Sequence, residues 1–113
     1  MIAIAEALPE TSCQPAGESH HDAQVRGKRF AYLLDNHHGN GRFALDCKAA
    51  PGVNTLLAAQ HPDRYHIPAY VGKQGWLGLW LDLPEIDWDE VRDVLVNGWR
   101  LAAPRKLVAK SGL

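Results

Sequence analysis

Cysteine is scarce in this chain, and so is net charge. Cys13 and Cys47 are the two thiols among 113 residues, and they form no CxxC pair. That spacing excludes the usual zinc and dithiol-redox motifs and suits two free thiols in a reducing compartment. The formal net charge is −1 and the pI about 6.6. A protein that coats nucleic acid is strongly basic, and this one is not. No apolar run reaches the ~18 residues that a membrane span requires. Met1–Glu6 has no basic residue and carries an acid at Glu6, so it does not read as a secretory signal. A cytoplasmic location without a membrane is the resulting expectation. Internal repeats and low-complexity segments are absent as well.

What is present is ordinary globular material, with 46% hydrophobic and 22% charged residues. The length suits one domain over residues 1–113. Residues 2–8 have Ile4, Ala5 and Leu8 on one side of a short helix stopped by Pro9. Residues 9–19 are rich in Pro, Gly, Ser and Glu, and read as loop. His21, Ala23 and Val25 then alternate in a weak strand. Gly27-Lys28 turns the chain, and Phe30, Tyr32 and Leu34 share a face of a second strand. Asn36 to Gly41 suits a hairpin loop. Phe43, Leu45 and Cys47 line the apolar face of a third strand, with Arg42, Asp46 and Lys48 on its wet face.

Pro51 opens a short helix through Leu56 and Leu57 to His61-Pro62, and residues 62–68 read as loop. Ala69–Gly72 and Trp76–Leu83 form a second hairpin around Gly72-Lys73-Gln74-Gly75. The last helix has the clearest start, with Asp87 as cap, Glu90 completing a capping box, and Ile86 and Val91 as a hydrophobic staple. Trp88, Val91, Leu95 and Trp99 recur on one face. Pro104 ends it, and a basic tail from about residue 100 holds Arg100, Arg105, Lys106 and Lys110. The order α-β-β-β-α-β-β-α predicts an α+β fold, an antiparallel sheet of about five strands packed on helices.

These words and their order resemble the MmcQ/YjbR family of small bacterial proteins. The resemblance rests on Leu8-Pro9-Glu10, on Val25-Arg26-Gly27-Lys28-Arg29-Phe30-Ala31, and on Leu45-Asp46-Cys47-Lys48 before Pro51. Pro68-Ala69-Tyr70 leading to Trp76, and Asn97-Gly98-Trp99-Arg100-Leu101, continue it. The similarity runs from about Ala7 to Leu107. It implies a fold like that of CyaY and frataxin, and a description as DNA-binding proteins with a double-wing arrangement of hairpins. Two departures stand out. The first helix is shorter than is usual in the family, and Gly98-Trp99 stands where a Ser-Tyr pair is common.

The residues themselves offer little chemistry. Among six histidines, His20-His21 would point to opposite faces of a strand, and His37-His38 have no acid or cysteine at ligand spacing. No metal and no cofactor are therefore expected. Cys47 shares strand parity with core residues, and Cys13 has no activating neighbour. No phosphate loop is present. The expectation is a non-enzymatic protein without catalytic residues. Asp46, Lys48 and Tyr70 are candidates to converge in a groove.

For nucleic acid, Arg26, Lys28 and Arg29 edge the first turn, Arg42 and Lys48 sit on the wet face, and Lys73 tips the second hairpin. Such residues would contact phosphates and bind in a salt-dependent way. The alternative is a small molecule or protein partner held in a groove near Tyr70, Trp76 and Trp80. Parity sets those two tryptophans opposite Leu77, Leu79 and Leu81, free to stack on a flat ligand if their faces are open.

Overall fold

The structure is a computed structural model, and it describes residues 2–16, 20–35 and 42–113. The expected loop at Asn36 to Gly41, with His37 and His38, lies outside those residues. The fold is α+β, as the sequence predicts. Six strands form one antiparallel sheet: β1 (Thr11–Pro15), β2 (His20–Val25), β3 (Lys28–Asp35), β4 (Phe43–Cys47), β5 (Tyr65–His66) and β6 (Leu77–Trp80), in the order β1-β2-β3-β4-β6-β5. Four helices accompany it: α1 (Ile2–Glu6), α2 (Val53–Gln60), α3 (Trp88–Ala102) and α4 (Arg105–Ser111).

Several boundaries differ from the sequence reading, each for a local reason. The segment read as loop contains β1, an edge strand. Pro15 is tolerated there because an edge strand has one side free of ladder bonds. The partner of β6 is not Ala69–Gly72 but the two-residue β5. Val71–Gln74 instead closes into a 3-10 turn. The hairpin turn falls at Arg26-Gly27, both at positive φ (49° and 80°), between paired Val25 and Lys28. That is the type I′ geometry that matches strand twist. Gly52, at φ 83°, precedes α2, so the helix starts two residues after Pro51.

A β-bulge sets the faces of the sheet. Ala23 pairs with Ala31 and Gln24 with Arg29, so Phe30 is an extra residue. Phe30 therefore turns toward the helices, and Tyr32 points the other way; the two do not share a face as simple alternation predicts. On the helix side, Phe30, Leu45, Cys47, Leu77 and Leu79 meet α3 through Val91, Leu95 and Trp99, all buried. A Cβ on Gly98 would press on Cys47 Sγ and on the Lys48 carbonyl, so glycine lets α3 lie close to the sheet. The Trp99 indole donates to the Pro9 carbonyl at 3.0 Å, tying α3 to the chain between α1 and β1.

Two features of α3 depart from expectation. Asp87 does cap it, accepting from the amides of Asp89 and Glu90. The Glu90 side chain, however, turns away to accept from Tyr65 Oη at 2.9 Å and to pair with Arg64. Trp88, in the first turn, is largely exposed rather than part of the buried stripe. Beyond Pro104 the basic segment is helical, and Leu107 of α4 is buried. The basic tail is thus a docked helix.

Candidate functional site

The second face of the sheet carries a continuous polar row. Cross-strand pairing places Gln14, Asp22, Tyr32, Asp46, Gly78 and His66 side by side, one from each strand. Residues that pair directly point to the same face, so these side chains share one surface. Near the β4–β6–β5 edge the loop carrying Pro68, Ala69, Tyr70 and Val71 rises as a wall. Asn54 of α2 fixes that loop from behind. Its Nδ2 donates to the carbonyls of Gly72 and Trp76, both at 3.1 Å. Row and wall together enclose a groove of about 470 Å³, lined also by Arg29, Leu34, Arg42 and Trp80.

Two carboxylates at the groove floor are nearly inaccessible, Asp22 at 4% and Asp46 at 6% exposure. Asp22 Oδ2 lies 3.1 Å from Arg29 Nε, and Arg29 also donates to Tyr32 Oη at 2.7 Å. Asp22 Oδ1 has no hydrogen-bond partner, with His20 Nε2 at 4.0 Å. Asp46 Oδ1 is likewise without one, with His66 Nε2 at 3.7 Å, beyond hydrogen-bond reach. Burial pushes the Asp46 carboxyl up to about 7, because removing water penalises its charged form. Burial, and then the charge of Arg42, hold the His66 imidazole below its ordinary value. At neutral pH, then, His66 is neutral and Asp46 sits near its titration midpoint.

Glycine makes the Asp46–His66 approach possible. A Cβ on Gly78 would occupy the space of the His66 ring, which lies across that position. From there the imidazole stacks on Trp80, with centroids 4.0 Å apart and planes 22° apart. The Arg42 guanidinium lies 3.9 Å from the same Trp80 centroid, held by two bonds to Asp82 at 2.6 and 2.9 Å. Two groups this near one centroid cannot share a side, so Trp80 is sandwiched. Trp76 is buried and stacks on Tyr32 at 5.3 Å. Neither tryptophan offers an open face. Among the described residues that line the groove, the exposed aromatic ring is Tyr70, at 81%. Its backbone, at φ 66° and ψ −60°, forms a γ-turn closed by the Val71 amide on the Ala69 carbonyl at 2.8 Å. That is the rare, strained hand of this turn.

The basic candidates are dispersed. Arg26 makes a two-point ion pair with Glu10 at 2.8 and 2.9 Å. Arg29 and Arg42 belong to the groove, each against a carboxylate. Lys28 and Lys73 are exposed at separate turns, and Lys48 lies on the helix side of the sheet. Of the expected convergence, Asp46 and Tyr70 do meet in the groove, and Lys48 does not. Asp22, His20, His66 and Tyr32 were not anticipated there. For His20 and Asp22 the only signal in the sequence was strand parity, which the bulge at Phe30 hid for Tyr32; His66, on the two-residue β5, had none. Among the described residues no three His, Cys, Asp or Glu side chains converge as a metal set, and both cysteines are free.

A six-stranded antiparallel sheet with helices on one face and a polar groove on the other defines a class of small α+β domains. The family model that matches is YjbR, over residues 6–101, and the chain belongs to that family. Among solved structures it is similar to the crystal structure of Deinococcus radiodurans protein DR2400, which has a DUF419 domain. That likeness has a TM-score of 0.73 at 16% identity, covering 98% of this chain and 84% of the other. It concerns the fold alone. No curated protein matches the chain. Among the described residues, no helix is long and apolar enough to cross a membrane.

Proposed function

We propose that this domain binds a small molecule in the groove on the open sheet face, as a binding module and not as an enzyme. One observation carries the reading: two buried carboxylates each keep an oxygen without a partner on one groove floor. An unsatisfied buried acceptor costs about 1–3 kcal/mol, and such groups are rare unless they serve a ligand or a reaction. The groove volume lies in the ordinary small-ligand range. The ligand supplies N–H donors, as a planar cation does, to Asp22 or Asp46, and to both where its donors are far enough apart, with Tyr70 at the groove wall.

A duplex-binding reading has Lys28 and Lys73 in its favour, both exposed on turns. Benzamidine and benzoate, alike in shape and opposite in charge, test the groove. Benzamidine is expected to raise the melting temperature and to shift the Trp80 indole and His66 NMR resonances; Asp22→Asn and Asp46→Asn singly are expected to weaken both effects, and the double variant to abolish them. Benzoate acting equally, or benzamidine acting equally on the variants, would sink the reading. A short DNA duplex titrated at about 50 and 200 mM salt is the counter-test. Steeply salt-dependent affinity, lost in Lys28→Glu with Lys73→Glu, would transfer the function to nucleic acid.

A further inference from the structure

A second groove, independent of the first, lies on the helix side. It has a volume of about 690 Å³ and sits between α2, α3 and α4. Its floor is aliphatic: Val53 and Leu57 of α2, Leu77 of β6, Val94 of α3 and Val108 of α4 all contribute. Leu101, 46% exposed, stands at its side. The rim is cationic, with Lys48, Arg100 and Arg105. None of these three has a carboxylate within ion-pairing distance among the described residues. The contrast with Arg26, Arg29, Arg42 and Arg64, each paired to an acid, is direct.

Helix stability does not account for the rim. Arg100, in the last turn of α3, does suit the helix dipole. Arg105 opens α4, where a positive charge opposes the dipole, and that turn contains no acid. Lys48 belongs to no helix at all. Three cationic side chains line one apolar trough, and an anion at the rim would complement them.

We infer that this groove binds a free amphiphilic carboxylate, its aliphatic tail on the valine and leucine floor and its head between Lys48, Arg100 and Arg105. Tail burial supplies most of the affinity, and the head fixes the orientation. A concave groove of this volume suits one small molecule rather than a protein surface.

Decanoate below its micelle concentration is the probe, followed by calorimetry and by methyl NMR shifts. Decylammonium, with the same tail and the opposite head, and anionic vesicles are the controls. Decanoate is expected to shift the Val53, Leu57 and Val108 methyls and to leave His66 and Trp80 in place. Decylammonium is expected to bind more weakly by about tenfold. The double variant Arg100→Glu, Arg105→Glu, exposed and therefore safe for folding, is expected to lose decanoate by a similar factor and to gain decylammonium. Equal binding of the two amphiphiles, binding to vesicles but not to monomers, or no methyl shift at all would each overturn the inference. Benzamidine binding is unaffected by any of these outcomes, so the two grooves succeed or fail separately.

Discussion

The two faces of this sheet are built on opposite terms. On the helix side, Phe30, Leu45, Cys47 and Trp99 are fully buried, and the one indole among them has its acceptor. On the open side, Asp22 and Asp46 are almost as buried and have oxygens left unpartnered. The difference is one of satisfied against unsatisfied buried groups. One face holds the fold together with groups whose needs are met inside the chain. The other leaves two buried acceptors unsatisfied at a cost in stability, which is where the proposed ligand would act.

Substitutions on each face can break or sharpen that contrast. The largest effect is expected for Trp99→Ala, which empties the centre of the helix face and strands the Pro9 carbonyl. It should cost about 3–5 kcal/mol in urea unfolding. A loss below ~1 kcal/mol would deny that this face is the stabilising one.

Asp46→Asn should move the other way, and its sign follows from linkage. The Asp46 carboxyl rises from an ordinary 3.8 to about 7 on folding. Between those values the folded chain keeps a proton that the unfolded chain has lost. The stability this group provides is therefore complete below pH 3.8 and is lost as pH rises to about 7. Asparagine has no such loss. The variant should match its parent near pH 4, gain on it up to pH 7, and hold a plateau of at most ~4 kcal/mol above that. Denaturant melts at pH 5 and pH 8 check it. A variant less stable than its parent at pH 8 would mean that Asp46 is a structural acid.

Smaller effects follow. Gly98→Ala must push α3 away from the Lys48 backbone and should cost about 2 kcal/mol despite alanine's better helix propensity. In Gly78→Ala the nearest atoms to the new Cβ all belong to the His66 ring, a side-chain end that can move. The substitution should cost no more than about 1 kcal/mol while separating His66 from Trp80 and Asp46, seen as loss of the ring-current shift on His66. Arg26→Ala removes an exposed ion pair and should leave the melting temperature unchanged.

The helix face was the more legible of the two in the sequence. Val91, Leu95 and Trp99 at helical spacing, after the Asp87 cap, declare α3 on their own. The parity of Leu77, Leu79 and Leu81 declares the inward side of β6. β1 was hidden because Thr-Ser-Cys-Gln-Pro has turn composition and becomes a strand only by pairing with β2. The two-residue β5 is too short for any periodicity. The groove was hidden for a related reason. Its residues come from five strands and a loop, and only register joins them. A single bulged residue, Phe30, also reverses the parity that would have grouped Tyr32 with Asp46.

The polar row across all six strands has one more consequence, which is metric. Asp22 and Asp46 stand on strands two steps apart, and neighbouring strands are about 4.8 Å apart, so their backbones are about 9.6 Å apart. The lattice of the sheet thus acts as a ruler with fixed graduations. A guest that engages both carboxylates must have its two donors at a matching separation. Moving a carboxylate one strand along the row would change that separation by about 4.8 Å with no change in strand order.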